Sequence, residues 1–181
     1  MSLLQSERIQ LIPLTPGQVP LLISDQQGLE TSLGLNHNTI DLDKSWIDEM
    51  NRALTDYTIP KLKEHSADYK WFTSWLIVHR ADNVYIGAMG SNGLPDEYGE
   101  ILIGYFVDRK YDGQGFATEA TGLFANHLLQ DSRLNQVAAT IPIGHSASER
   151  VVEKNGFFIE GQLEEEGMQL NKWVLRKMEK S

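Results

Sequence analysis

The chain has 181 residues, 16 Lys and Arg against 25 Asp and Glu, and no cysteine. That length predicts one domain over 1–181, and 41% apolar with 23% charged residues suits a chain that buries a core, which excludes disordered, collagen-like and mucin-like classes. The net charge of −9 argues against nucleic-acid and membrane partners, and without cysteine there is no disulfide framework, no Cys-ligated zinc and no thiolate nucleophile. The first residues lack a basic segment followed by an apolar core, and no run of about 18 apolar residues occurs. A reducing, cytoplasmic setting is therefore expected, with no membrane span.

In chain order, Ile9 and Leu11 alternate with polar neighbours, which predicts a half-buried strand over 7–14. Thr15, Pro16 and Gln18 carry the signature of a helix start, although Pro20 opposes a simple helix there. From Asp43, the spacing of Trp46, Met50, Ala53 and Tyr57 predicts an amphipathic helix that Pro60 ends or kinks, with a second helical piece over 61–68. Three strands follow over 71–80, 84–90 and 100–107, separated by turn-forming residues at 81–83 and 91–95, so an antiparallel meander is expected. The period then changes: Ala117, Ala120, Phe124 and Leu128 share a helical face that runs to about Leu129. A strand (136–141), a short helix (146–154) and two strands (157–163 and 173–177) complete the chain. Glu164, Glu165, Glu166 and Gly167 read as a solvated turn between the last two strands. These elements predict an α+β, or mixed α/β, arrangement around one central sheet.

The most informative stretch runs from Val107 to Ala120, where a strand meets a helix through Gly113 and Gly115. Residues without Cβ take positive φ readily and let backbone amides approach an anion closely. The unpaired amides and positive dipole end of the helix add to this, which makes a phosphate or pyrophosphate site. A plain Asp-Gly hairpin turn is the alternative, but helical periodicity follows it rather than a strand. Neither a Gly-Lys-Ser/Thr sequence nor a third glycine with a later ribose-binding acid is present, so the anion belongs to a different cofactor.

The run Gly104-Tyr105-Phe106-Val107-Asp108, this glycine loop, and Ser148-Glu149-Arg150-Val151-Val152-Glu153-Lys154-Asn155-Gly156-Phe157 together resemble the core of the GNAT superfamily of acetyl-CoA-dependent N-acetyltransferases. Within it the chain is similar to the ribosomal-protein N-terminal acetyltransferase branch, which opens on a strand matched here by Glu7 to Leu11. The resemblance covers almost the whole chain. It implies a single GNAT-like domain whose central sheet is mixed, largely antiparallel, and splayed between two parallel strands. By the same resemblance, the backbone of Phe106 and Val107 holds the pantetheine arm of acetyl-CoA. Gly113, Gln114, Gly115, Phe116, Ala117 and Thr118 hold the pyrophosphate, and the helix over 146–154 flanks the thiol, with His145 and Ser148 at its start. A capping box of Ser146 with Glu149 and a stop at Asn155-Gly156 support that helix independently.

Three positions depart from the family pattern. Asp112 stands where Gln or Arg is usual, with Arg109 and Lys110 as compensating cations; His145 replaces a common Asn; and Leu102 occupies the place of an acid. Glu100, on the same strand face as Leu102, is the expected general base, while Ser148 and then Tyr105 are the expected proton donors to the departing thiolate. The implied reaction is direct attack by a primary amine, of a protein N-terminus such as that of a ribosomal protein, or of a small amine. A non-catalytic acyl-CoA-binding or sensing protein is the rival reading, and a phosphate-binding protein for some other nucleotide is the third. A homodimer follows by analogy alone. The four tryptophans read as core, with substrate-pocket walls as the alternative, His37, His65, His79 and His127 lack metal-ligand spacing, and no metal is expected. Specificity falls to 15–70, where Glu30, Asp41, Asp43 and Asp48 would favour a cationic acceptor.

Overall fold

Apolar alternation builds the strands, and the computed structural model, which describes residues 4–178, assembles them into one eight-stranded sheet. In chain order the elements are β1 (Leu4–Gln5), β2 (Ile9–Pro13), α1 (Leu21–Ser24), α2 (Gln26–Ser32), α3 (Lys44–Ala53), α4 (Ile59–Glu64), β3 (Trp75–His79), β4 (Val84–Ser91), β5 (Glu100–Val107), α5 (Phe116–Leu128), β6 (Gln136–Pro142), α6 (Ser146–Lys154), β7 (Phe158–Glu165) and β8 (Met168–Arg176). Spatial order is β1-β2-β3-β4-β5-β6-β8-β7, antiparallel throughout except for the parallel pair β5 and β6. The expected meander is present as β3-β4-β5.

Two apolar cores sit on opposite faces of the sheet. On one, Ile9, Ile77, Ile86 and Val137 pack against Phe124 of α5 and Val152 of α6. On the other, Leu76, Val78 and Tyr85 pack against Leu29 of α2 and Leu62 of α4. Because β3 feeds both faces, its residues are apolar at successive positions rather than alternating. A bulge lets β4 do likewise: Ile77 pairs with Gly87 and Val78 with Tyr85, so Ile86 is an extra residue and side-chain parity flips across it. Gly87 is required where β4 closes on β5, since a Cβ there would lie 2.3 Å from the Phe106 carbonyl oxygen.

Several sequence expectations are corrected. Residues 15–20 form turns rather than a helix, although the Thr15 N–H does donate to Gln18 Oε1 at 2.9 Å. Strand β3 begins at Trp75, because Ser66–Trp71 coils as a 3₁₀ helix. Pro60 does not break the helical path after α3. A π turn over Leu54–Thr58 widens the backbone just ahead of Pro60, which stands at the second position of α4. The last two strands are longer than expected, and their turn shrinks to Glu166 and Gly167, both at positive φ (49° and 78°), as a two-residue hairpin of matching twist requires.

Candidate active site

Strands β5 and β6 begin as parallel neighbours, with Glu100 opposite Gln136, Ile101 opposite Val137 and Leu102 opposite Ala138, and there their pairing stops. Beyond Leu102, β5 stays paired to β4 from Ile103 to Val107, and β6 stays paired to β8 out to Pro142. The two strands therefore part, and backbone groups that would have bonded across the sheet face a gap instead. A cleft of about 880 Å³ occupies this gap and extends under α1 and α3. Gly104, Tyr105 and Phe106 line it from one side, Thr140 and Pro142 from the other, and His145 and Ser148 at the start of α6. Val107, by contrast, packs toward the α5 core.

Below the gap, the chain turns through Arg109–Tyr111 into the glycine loop. Gly113 and Gly115 take positive φ, 72° and 84°, and Gly115 caps α5 without a side chain. The N–H groups of Gly113, Gln114, Gly115, Phe116, Ala117 and Thr118 donate to no acceptor among the described residues. An Asp-Gly reverse turn would have paired some of them. Six amides left without an acceptor at the positive end of a 13-residue helix are the condition for holding a diphosphate, and with the open strand edges they fit coenzyme A. The side chain of Phe116 is not part of this cradle. It is buried against His79 at 5.0 Å and Tyr111 at 5.8 Å, and so anchors the helix start.

Asp112 is exposed and lies close enough to Arg109 to help raise that guanidinium's pKa, after the hydrogen bond and charge of Asp43 and the charge of Asp41. The expected compensating cations are occupied. Arg109 binds Asp43 at 2.7 Å, and Lys110 donates to Thr39 O at 2.6 Å and Asn38 Oδ1 at 2.8 Å. Buried Asp108 organises this corner, accepting from Asn38 Nδ2 and from the N–H groups of Asp41 and Lys110.

The cation at the loop is Arg8, 106 residues away in sequence, which nothing local could have singled out. Its Nη1 donates to Gln114 O at 2.9 Å, its Nε to Glu119 Oε2 at 2.7 Å, and its guanidinium stacks over Phe116 at 4.4 Å. A trans peptide holds C=O and N–H on opposite sides, so fixing the Gln114 carbonyl toward Arg8 turns the Gly115 N–H away from it. Glu119 also accepts from Ser6. Burial alone would raise this carboxyl, but the hydrogen bonds from Ser6 and Arg8 outweigh it and leave the pKa lowered.

At the other end of the cleft, Tyr105 and Ser148 share a hydrogen bond. Burial raises the tyrosine hydroxyl above the usual phenol range, and this bond draws it part of the way back. His145, rather than Ser146, caps α6: its Nδ1 accepts from the Ser148 N–H at 3.4 Å, while Glu149 reaches back to the Gly144 N–H at 3.2 Å. Imidazole thus stands in for the expected cap one residue early.

Glu100 is not brought to the cleft. Its carboxylate pairs with Lys172 at 2.8 Å and accepts from Gln136, and Lys172 also reaches Glu160 at 3.0 Å. Hydrogen bonding to Glu100 leads in raising the Lys172 pKa. A carboxylate so engaged, outside the gap, is poorly placed to accept a proton from an entering amine. Glu30, Asp41, Asp43 and Asp48 are likewise spent, on His37, Arg109, Arg109 and Lys44. The carboxylate that does line the cleft is Glu49. Among the tryptophans, Trp75 and Trp173 are core, Trp71 lies under Arg133, and Trp46 lines the cleft. No group of three or more His, Asp or Glu among the described residues could hold a metal, and no helix there is long and apolar enough to cross a membrane.

Residues 8–158 match the acetyltransferase (GNAT) domain family. An uncharacterized N-acetyltransferase, YjdG, of Bacillus subtilis strain 168 is 30% identical over 90 residues, 50% of this chain and 54% of that one. The chain thus spans about half the length of that curated relative. A putative ribosomal N-acetyltransferase, YdaF, of the same organism is 25% identical over 142 residues, 78% of this chain and 71% of that one. Among solved structures, the ribosomal L7/L12 alpha-N-protein acetyltransferase RimL, in complex with coenzyme A, shares the fold at a TM-score of 0.67 and 19% identity, covering 97% of this chain and 98% of the other. The family match spans the splayed strands, the free amides of the glycine loop and the capped helix beside them, and the chain belongs to the GNAT acetyltransferase domain family.

Proposed function

We propose that this protein is an N-acetyltransferase that moves the acetyl group of acetyl-CoA onto a primary amine by direct attack. The carrying observation is the run of unpaired amides from Gly113 to Thr118, which the chain reaches directly after the strand that borders the gap and its cleft. Acetyl-CoA supplies the thioester: the C–N bond forms as the C–S bond breaks, the incoming ammonium gives up a proton to water, and a second proton ends on the thiol. Amides 113–118 bind the diphosphate, and the open edge of β5 holds the arm in extended form. The Tyr105–Ser148 pair keeps a hydroxyl proton beside the gap. A phenol is protonated at neutral pH even at its usual value of about 10, and burial raises Tyr105 further, so its hydroxyl carries a proton to donate. For the proton leaving the amine, the geometry supports water in the cleft rather than Glu100.

The ribosomal-protein acetyltransferases among the relatives support a protein N-terminus as one class of acceptor. An α-amino group (pKa about 7.7–8.0) also yields its proton more readily than a lysine (~10.4). Calorimetry with coenzyme A, followed by thiol release from acetyl-CoA over an amine panel, tests the reading. Binding with amine-dependent thiol release is expected. Binding without release from any amine would establish the sensing alternative, and equal affinity for ATP and desulfo-CoA would establish the nucleotide alternative.

A further inference from the structure

The side of the cleft away from the glycine loop has an unusual balance of charge and apolar surface. Among its lining side chains Glu49 is the one carboxylate, with no Lys or Arg beside it, and it makes no hydrogen bond or ion pair among the described residues. The other acids of this region are neutralised by their own partners, as described above. Uncharged residues make up the rest of this wall: apolar Leu22 and Ile23 from α1, Trp46 and Met50 from α3, Leu54 after it, and Phe72, interspersed with polar Gln26, Thr39, Asn51 and Thr58.

Helix α3 explains how this wall arises. Its apolar residues repeat at helical spacing, the usual sign of a core-facing stripe, yet the fold buries none of its residues. Trp46, Glu49 and Met50 stand at i, i+3 and i+4, so they share one face, and that face lines the cleft. Trp46 is 50% exposed and Ile23 is 42% exposed, although both border an acceptor site. Apolar surface left wet around a single carboxylate is complementary to a guest with one positive charge and a large apolar body.

We infer that the acceptor is a singly charged primary amine carried on a bulky apolar or aromatic group, with Trp46 and Met50 packing that group and Glu49 attracting the ammonium. This rests on the acetyl-transfer reading and narrows it. A polyamine needs several carboxylates along its length, whereas one is present; a small or hydroxylated side chain would leave the tryptophan in water. The same chemistry is offered by a free arylalkylamine and by a polypeptide whose first residue is Leu or Phe.

The test is thiol release from acetyl-CoA with 2-phenylethylamine, ethylamine, spermidine and short peptides beginning in Leu, Phe or Ser. The expected result is a kcat/KM for 2-phenylethylamine, or for the Leu and Phe peptides, about tenfold or more above that for ethylamine, spermidine and the Ser peptide. Whether the free amine or the peptide leads identifies the source. Glu49→Gln is expected to raise KM for the preferred amine about fivefold, less as salt is added. Trp46→Ala raises KM for 2-phenylethylamine but not for ethylamine, a contrast that misfolding would not produce. Equal efficiency with ethylamine and 2-phenylethylamine, or a lead for spermidine or the Ser peptide, overturns the inference and leaves acetyl transfer standing. Thiol release from no amine overturns both.

Discussion

Arg8→Gln isolates the long-range contact that orients the glycine loop. In the native protein the guanidinium donates to Gln114 O at 2.9 Å and pairs with Glu119 at 2.5 Å, with 43% and 21% of the two side chains exposed. An ion pair that open is worth at most about 1 kcal/mol to stability, so a fall in Tm of only about 2–4 °C is expected. The effect on donor binding is larger. A hydrogen bond from a charged donor is worth about 1.5–3 kcal/mol, and losing it frees the Gln114–Gly115 peptide to rotate its N–H away from the diphosphate. Glu119, no longer paired, also adds a negative charge beside that diphosphate. Together these predict a loss of roughly tenfold or more in kcat/KM for acetyl-CoA. The assay compares acetyl-CoA with S-acetylpantetheine, which carries the thioester but no diphosphate. Arg8→Gln should leave the truncated donor within about twofold of wild type, because the lost hydrogen bond acts only on the phosphates. Equal losses with both donors, or none with either, would refute the argument that Arg8 acts through the loop.

Three further outcomes follow from other contacts. Gly87→Ala places a methyl group 2.3 Å from the Phe106 carbonyl oxygen, so it should cost a few kcal/mol in denaturant unfolding and raise KM for acetyl-CoA through displacement of β5. Ser148→Ala and Tyr105→Phe each remove one hydroxyl of the half-buried pair, and steady-state kinetics should show kcat reduced about tenfold or more with KM for acetyl-CoA little changed. A loss below threefold for Ser148→Ala would assign proton donation to Tyr105. The Asp131 carboxyl is lowered from 3.8 to about 2, chiefly by its hydrogen bond to Arg133, whose Nη2 lies 2.9 Å away. A depressed pKa of this kind stabilises the fold above the unfolded value and is lost as pH falls through the folded one. Stability should therefore drop between about pH 4 and 2 in the wild type, by roughly 1 kcal/mol after solvent screening, and Asp131→Asn should remove this dependence.

Local chemistry made much of this protein legible from its residues. The 3.6-residue period of Ala120, Phe124 and Leu128 and the two glycines before it specified a helix whose first amides are free, because both features depend only on neighbours in sequence. The meander and the start of α6 near residue 146 were readable for the same reason. Register and long-range pairing are different, since they depend on which groups the fold brings together. Nothing in the run from Glu100 to Val107 says that pairing with β6 ends at Leu102; that is decided by β4 holding one strand and β8 the other. Likewise, Glu100 looked like a base until Lys172, from β8, engaged it. The stripe on α3 has the periodicity of a core-facing helix, yet the fold fully buries none of its residues and sets Trp46 and Glu49 on the cleft wall. Arg8 was an ordinary strand residue until tertiary contact set it against the glycine loop. Sequence alone thus determined the meander, the long helix and the glycine loop before it, whose physics is local, while the tertiary structure decided the helices over 21–32, the gap, the cleft wall and each charged residue's partner, because Coulombic pairing and packing act across space rather than along the chain.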